Sequence, residues 1–245
     1  MPTKSPEQLI ADCSAWWDTS IIDIHPGKIA IRGYPIEELI GNVRFPDMIW
    51  LMLRGELPTR AQGDLLEAAM VPGVDHGPHA PSIAIAQMAV SCGLPVNGAM
   101  ASAINVLDDV HGGAGEQCME LYREIDAMAG PDGDLVATAE KIIRGRMAAG
   151  VKIVPGFGHR FHPIDPRTAP LFALVAKAQA AGAVSGRWAA IGHAVEPALE
   201  AIKGRHIPMN IDGITAVIFC ELGFEPELGR VLFILARSGG SLERA

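Results

Sequence analysis

The sequence predicts an all-α fold interrupted by one small β-hairpin near the amino end. Three observations carry this reading. Hydrophobic residues make up 49% of the 245 positions but aromatics only 5%. Ala, Leu, Ile and Met must therefore fill the interior, which suits packed helices better than a β-sandwich. Apolar residues recur at helical spacing along most of the chain, and only one short stretch alternates residue by residue.

Taken in order, Leu9, Cys13, Trp16 and Trp17 share one helical face. Residues Thr19 to Arg32 alternate about a Pro26-Gly27 turn, as a short hairpin does. Pro35 opens a helix that Gly41 closes, and Pro46 and Gly55 bracket the apolar run Asp47–Arg54 in the same way. Ser82–Cys92 is nearly all apolar and reads as a buried helix. Leu135, Ala139, Ile142, Ile143 and Met147 mark a further stripe, and Pro170 opens another through Leu171, Leu174, Val175 and Ala178. Leu228, Val231, Leu232 and Leu235 repeat the helical spacing near the carboxyl end. Ala129–Asp134 is the one linker-like stretch. The length suits one large domain, or a large and a small one.

Charge narrows the function. A net charge of −8 disfavours nucleic acid and anionic lipid as partners, so an anionic substrate needs a local cluster of arginines. Cys13, Cys92, Cys118 and Cys220 lie far apart without a CxxC pair, and three of them sit in apolar, helix-like surroundings as expected buried thiols. Lys4, Glu7 and Asp12 interrupt any signal-like run, and no segment reaches the ~18 apolar residues of a membrane span. A soluble, cytoplasmic protein is expected.

The densest chemistry lies between Val154 and Arg167, where two glycines, three prolines, two histidines and two arginines fall within 14 positions. Glycines let backbone approach a ligand, and prolines hold the segment out of a helix. His159 can move protons near neutral pH, and Arg160 and Arg167 can bind anions. The same punctuation also serves a plain loop between helices. His76, His111 and His159 each stand in a glycine-flanked loop at a helix boundary. Singly, each reads as a cap or core residue; together they suit a site that stabilises negative charge developing on oxygen.

Metal binding is the competing reading, through His76 and His79 or through Asp108 and His111. Gly77 and Pro78 break the first pair's helix face, however, and no HExxH pattern occurs, so no metal is expected. GxSxG, P-loop and dinucleotide fingerprints are also missing. Asp212, just after Pro208 and before an apolar run, admits two readings. It is either a helix N-cap, or a carboxylate base whose apolar setting lifts its pKa towards neutrality.

These residues, taken as an ordered set, resemble the citrate synthase family. The set comprises Ile31-Arg-Gly-Tyr-Pro-Ile-Glu-Glu-Leu39, Leu53-Arg-Gly-Glu-Leu-Pro-Thr59, Asp75-His-Gly, His111-Gly-Gly-Ala, Gly156-Phe-Gly-His-Arg, Asp165-Pro-Arg, Asn210-Ile-Asp and Leu235-Ala-Arg-Ser. The resemblance implies a citrate synthase-like helical fold in a homodimer or higher homo-oligomer. Residues 1–114 and 219–245 would form a reduced large domain and residues 115–218 a small mobile one. It also implies roles. His111 holds the thioester oxygen of acetyl-CoA, Asp212 takes a proton from its methyl carbon, and His159 polarises the oxaloacetate ketone and exchanges a proton with the alkoxide. His76, Arg167 and Arg237 hold the dicarboxylate or citrate. Pro155, Gly156, Phe157, Gly158 and Arg160 contact coenzyme A, the acyl carrier of the substrate.

Some features depart from a full synthase. Only 17 steps separate Pro58 from Asp75, where synthases carry a much longer block. Asp212 is followed by glycine where synthases have an aromatic, and the Asp-His-Gly-Pro and Asn-Ile-Asp-Gly runs look more like the citryl-CoA lyase module of ATP-citrate lyase. The chain stops eight residues after Arg237, without the terminal segment that offers a partner subunit an arginine, and Arg244 does not match that context. The resemblance therefore favours a lyase cleaving citryl-CoA, or a close 3-hydroxyacyl-CoA, to oxaloacetate and acetyl-CoA. The alternatives are citrate or 2-methylcitrate synthase-type condensation and a non-catalytic acyl-CoA or citrate-binding subunit.

Overall fold

The computed structural model describes residues 4–160 and 162–244. The chain divides into two compact units, Met1–Gly63 and Asp64–Ala245.

In the first unit, α1 (Pro6–Trp16) starts in a capping box. Ser5 Oγ accepts from Gln8 N, while Gln8 Oε1 accepts from Ser5 N at 2.9 Å. Its expected apolar face is helical but open to solvent, with Trp16 82% exposed. The predicted hairpin forms from β1 (Ile22–His25) and β2 (Lys28–Ile31), with His25 paired to Lys28 across the Pro26-Gly27 turn. A third strand, β3 (Tyr34–Pro35), extends it into an antiparallel sheet. Arg32 and Gly33, both at positive φ, make that second tight turn. Then come α2 (Ile36–Leu39) and α3 (Phe45–Arg54), the latter closed by Gly55 in the left-handed region at φ 85°.

α4 (Arg60–Met70) begins in the first unit and leads into the second. There follow α5 (Pro81–Ser91), α6 (Val96–Ile104), α7 (Ala114–Ala129), α8 (Leu135–Ala148), α9 (Thr168–Ala180), α10 (Arg187–Lys203), α11 (Ile211–Glu221) and α12 (Pro226–Arg244). α11 is the centre of this unit and packs against α7, α9, α10 and α12. Ile214, Ala216, Val217 and Ile218 are fully buried along it, each larger side chain contributing about 1.5–3 kcal/mol of burial. Its last residue, Glu221, reaches the start of α10. There its carboxylate accepts from the backbone N–H groups of Ser185, Gly186, Trp188 and Ala189 at 2.8–3.2 Å, satisfying donors that no intrahelical carbonyl reaches.

Three expectations need correction. α5 buries only Ser82, Ile83 and Ala86, and Met88 is 57% exposed. A run of apolar residues hides which face is inward, because periodicity needs polar positions to show it. On α12 the inward residues are Leu232, Ala236 and Arg237, whereas Val231 and Leu235 face outward. Two cysteines, Cys118 and Cys220, are buried; Cys13 and Cys92 are exposed. Among the described residues no helix is long and apolar enough to cross a membrane.

Candidate active site

The site grows from the start of α11. Asn210 is the cap: its side-chain oxygen accepts from Asp212 N at 2.9 Å and Gly213 N at 3.3 Å. That settles one alternative, since the capping position is filled and Asp212 stands inside the first turn. The other side of Asn210 binds the glycine-rich loop, Nδ2 donating to Gly158 O at 2.6 Å. Backbone bonds from Asn210 N to Gly156 O (2.9 Å) and Gly158 N to Pro208 O (2.7 Å) complete the seam. A side chain on Gly213 has no room, because its Cβ would lie 2.4 Å from Gly156 O. Gly156, at φ 83°, is equally hemmed in by Cys118 Sγ and Gly213.

A cavity of about 310 Å³ opens above this seam, within the range of small-molecule sites. His76, His111, His159, Arg160, Arg167, Asp212 and Arg237 all line it. The chain therefore gathers every residue expected to act as a catalyst or to hold the dicarboxylate. The remaining expected residues behave differently. Gly158 and Phe157 line a second cavity of about 550 Å³ together with Lys152, Lys203, Arg205 and His206, and His159 is shared by both. Phe157 buries its ring edge-on against Tyr122, with centroids 6.5 Å apart, so it offers a ligand mainly backbone. Pro155 and Gly156 are not among the described residues lining either cavity. The side chain of Arg244 lies outside the described residues.

Hydrogen bonding fixes two tautomers. Ser82 N, at the start of α5, donates to His111 Nε2 at 3.1 Å, and Ser82 Oγ lies 3.0 Å from the same nitrogen. Nε2 must then be unprotonated, which leaves the ring proton of neutral His111 on Nδ1. The helix N-terminus also disfavours an imidazolium there. His162 N donates to His159 Nδ1 at 3.1 Å, so the proton of neutral His159 sits on Nε2. Burial, then the Arg237 charge, holds His111 below the ordinary imidazole range. Burial and His162 do the same to His159, against Asp165. His76 stands edge-on to His159, centroids 5.4 Å apart, and is lowered by burial and then by Arg167 and Arg237.

Asp212 keeps a strip of surface towards the cavity but is otherwise enclosed. Its burial raises its pKa, and the Arg167 and Arg237 charges only partly offset this. Arg167 is held by the buried Asp165, which accepts from Arg167 Nε and Nη2 at 2.8 Å each and from Arg167 N at 3.1 Å. Asp165 Oδ2 also accepts from Ile211 N at 3.0 Å, tying the arginine to the first turn of α11. Burial alone would raise the pKa of Asp165, but these bonds to Arg167 outweigh it and the net shift is downward. Arg237 is buried, its guanidinium lies 4.9 Å from the Phe233 ring centroid, and its Nε donates to Gly73 O at 2.9 Å. The overall negative charge thus encloses a cationic pocket.

Asp165 and Asn210 stood in the ordered motif set without a role of their own, whereas Ser82 and the Lys203-Gly-Arg-His206 corner of the second cavity were not singled out. The corner had a visible signal, three basic residues ahead of Pro208. Among the described residues, no group of three or more His, Cys, Asp or Glu side chains is placed to hold a metal ion.

Helices thus surround a histidine-lined, arginine-bearing cavity that holds one enclosed carboxylate, Asp212. Comparison with known proteins identifies the family. The family profile described as the citrate synthase C-terminal domain matches residues 13–72 and 61–243, and the chain belongs to the citrate synthase family. Citrate synthase of Haloferax volcanii is 29% identical over 193 residues, covering 77% of this chain and 47% of that protein. Citrate synthase 2 of Bacillus subtilis is 28% identical, with 78% and 48% covered. The chain thus spans about half the length of these curated relatives. Citryl-CoA lyase from Hydrogenobacter thermophilus superposes with a TM-score of 0.80 at 30% identity, covering 93% of this chain and 85% of that one. ATP citrate lyase from Methanothrix soehngenii, solved with citrate and coenzyme A, gives a TM-score of 0.79 at 19% identity, a likeness of fold.

Proposed function

We propose that this chain cleaves citryl-CoA, or a close 3-hydroxyacyl-CoA, to oxaloacetate and acetyl-CoA through an enolate. The observation that carries the reading is the meeting of Asp212, His111 and His159 in one cavity with Arg167 and Arg237. Breaking the carbon–carbon bond of the tertiary alcohol sends an electron pair onto the thioester as an enolate, while the alcohol oxygen becomes a ketone. Nδ1–H of His111 is suited to the enolate oxygen, and a neutral donor there does not compete with the carboxylate for charge. Asp212, protonated, returns a proton to the enolate carbon; its raised pKa makes that form accessible. Arg167 and Arg237 suit the two free carboxylates. The second cavity, with Lys152, Lys203 and Arg205, suits the phosphates of coenzyme A, and its shared wall at His159 lets a thioester span both.

The citryl-CoA lyase likeness, covering most of both chains, favours cleavage over synthesis. The same reading assigns residues 115–218 to a small domain closing on the site. It also assigns a second copy to the exposed apolar residues Met88, Leu94 and Val96 of the α5–α6 region. The test is direct. Purified protein is given citryl-CoA in one reaction and oxaloacetate plus acetyl-CoA in another, and oxaloacetate and free thiol are followed. Oxaloacetate release without thiol supports the lyase. Thiol release in the second reaction overturns it in favour of a synthase, and silence in both leaves a binding subunit.

A further inference from the structure

The loop that carries His111 lies between α6 and α7 and closes on itself, with Asp108 N donating to His111 O at 2.9 Å. Its fixing to the rest of the unit comes largely from α12. Arg230 Nη1 donates to Asp108 Oδ1 at 2.6 Å and Nη2 to Asp109 Oδ1 at 2.5 Å, while Nε faces Glu116 Oε2 in the first turn of α7. One guanidinium thus spans three carboxylates, two on the loop and one on the helix that follows it. Asp108 and Asp109 are exposed, and exposed ion pairs add little stability singly. A planar fork that grips both at once, however, sets direction as well as distance.

The same face of α12 continues towards the other end of the cavity. Phe233 lies against Gly112, where a Cβ would stand 3.2 Å from its Cε1, and its ring also lies beneath the Arg237 guanidinium. Arg237 in turn binds Gly73 O, and a Cβ on Gly240 would come within 2.1 Å of Val74 O. Residues 230, 233, 237 and 240 recur at helical spacing, so one ridge of α12 touches the His111 loop at one end and the segment leading to His76 at the other. At 1.5 Å per residue, Arg230 and Arg237 stand about 10 Å apart along the helix.

We propose that Arg230 is a positioning residue: by clamping the His111 loop to α12 it sets the place of His111 relative to Arg237, and so the register between the thioester and the dicarboxylate ends of one substrate. This rests on the lyase reading above. Arg230 is not among the described residues lining either cavity, so it acts through the loop and not on the substrate. Ser82 fixes the ring of His111 from α5, and Arg230 fixes the backbone that carries the ring. Without the fork the loop keeps its own turn, but the His111 donor drifts from the oxygen it serves. A displacement of about 1 Å costs up to about 10²-fold in rate. Binding of the dicarboxylate does not use the clamp, because Arg167 is held through Asp165 and Arg237 through Gly73.

The experiment separates positioning from plain support of the fold. Arg230→Ala removes the fork, and Asp108→Ala with Asp109→Ala removes only the two exposed carboxylates it grips. In D₂O, exchange of the acetyl-CoA methyl protons in the presence of malate reads the chemistry at the thioester, citryl-CoA cleavage reads the whole reaction, and calorimetry with malate reads the dicarboxylate end. The expected result in both variants is kcat for exchange and cleavage lowered by about 10- to 100-fold, with KM for the acyl-CoA and Kd for malate within about threefold of the parent. Added methylguanidinium should restore part of the rate of Arg230→Ala, and Arg230→Lys, which keeps the charge without the fork, should fall between. Combining Arg230→Ala with the two aspartate changes should cost no more than either alone, because both remove one contact. A kcat within about threefold of the parent in either variant overturns the assignment. So does a malate Kd that rises in step with the fall in kcat, which would mean that Arg230 only supports the cavity. Should Arg230→Ala fail to fold, the aspartate variant decides by the same criteria. A parent protein that neither exchanges nor cleaves overturns the underlying lyase reading, and this assignment with it.

Discussion

Replacing Asp165 by Asn tests how the site is held together, because the change removes charge with almost no change in shape. In the native protein four donors converge on one carboxylate: Arg167 N and Nε on Oδ1, and Arg167 Nη2 and Ile211 N on Oδ2, all within 2.8–3.1 Å. An amide oxygen can satisfy either pair, but its NH₂ then faces the other pair, donor against donor. Two charge-assisted bonds are lost and a guanidinium loses its counter-charge. At about 1.5–3 kcal/mol per bond the loss is about 3–6 kcal/mol, reduced to about 3 kcal/mol because the Arg167 side chain is 21% exposed and water can replace part of it. For a chain of this size that lowers Tm by about 6–12 °C, read by differential scanning calorimetry. Because the folded pKa of Asp165 lies below its ordinary value of 3.8, its stabilisation is complete above that value and fades as pH falls through the lower folded one. The gap between the two proteins should therefore be constant from pH 6 to 8 and shrink below about pH 4. Kinetically, KM for oxaloacetate should rise about 10- to 100-fold as Arg167 swings free, while KM for the acyl-CoA changes little. Unchanged Tm and unchanged oxaloacetate KM would refute the reasoning.

Further outcomes follow from the same geometry. Gly213→Ala forces a Cβ to within 2.4 Å of Gly156 O, so it should part the loop from α11, lower Tm and cut turnover at least tenfold; normal turnover means the seam is not needed. Lys203→Ala with Arg205→Ala should raise KM for citryl-CoA about tenfold, with the effect fading in high salt; an unaltered KM removes the second cavity from the coenzyme A path. Burial holds Asp212 above its ordinary value of 3.8, and on the proposed function it must be a carboxylate to take a proton from acetyl-CoA. The exchange rate should therefore fall with pH at a midpoint above the ordinary carboxylate range, and a rate flat down to pH 4 contradicts that.

The helices with a single polar seam were legible because alternation of polar and apolar positions reports which face is inward. α3, with Pro46 and Gly55 at its ends, and α8, with Ala139, Ile142 and Ile143 inward, behave so. α5 defeats the rule because nearly every position is small or apolar. α10 carries Gly192 and Pro197 in its interior, which breaks the pattern that marks a helix, although Gly192 is there because a Cβ would press on Val217. The site's titratable residues stood out by type and loop setting. Their partners' tasks did not, because Ser82 bonds to His111, and Asn210 and Asp165 join bonds to near neighbours with bonds to Gly158 and Ile211, all far away in sequence. Asp212 looked like a cap from its position before an apolar run, and only the backbone shows that Asn210 performs that task.

The central claim is that Asp212 exchanges protons with a carbon acid held by His111. Deuterium incorporation into acetyl-CoA, measured by NMR for the parent protein and for Asp212→Asn, tests it most directly. The account predicts steady incorporation by the parent and none above background in the variant, with dicarboxylate binding retained in both. Incorporation by the Asp212→Asn variant near the parent rate would contradict it.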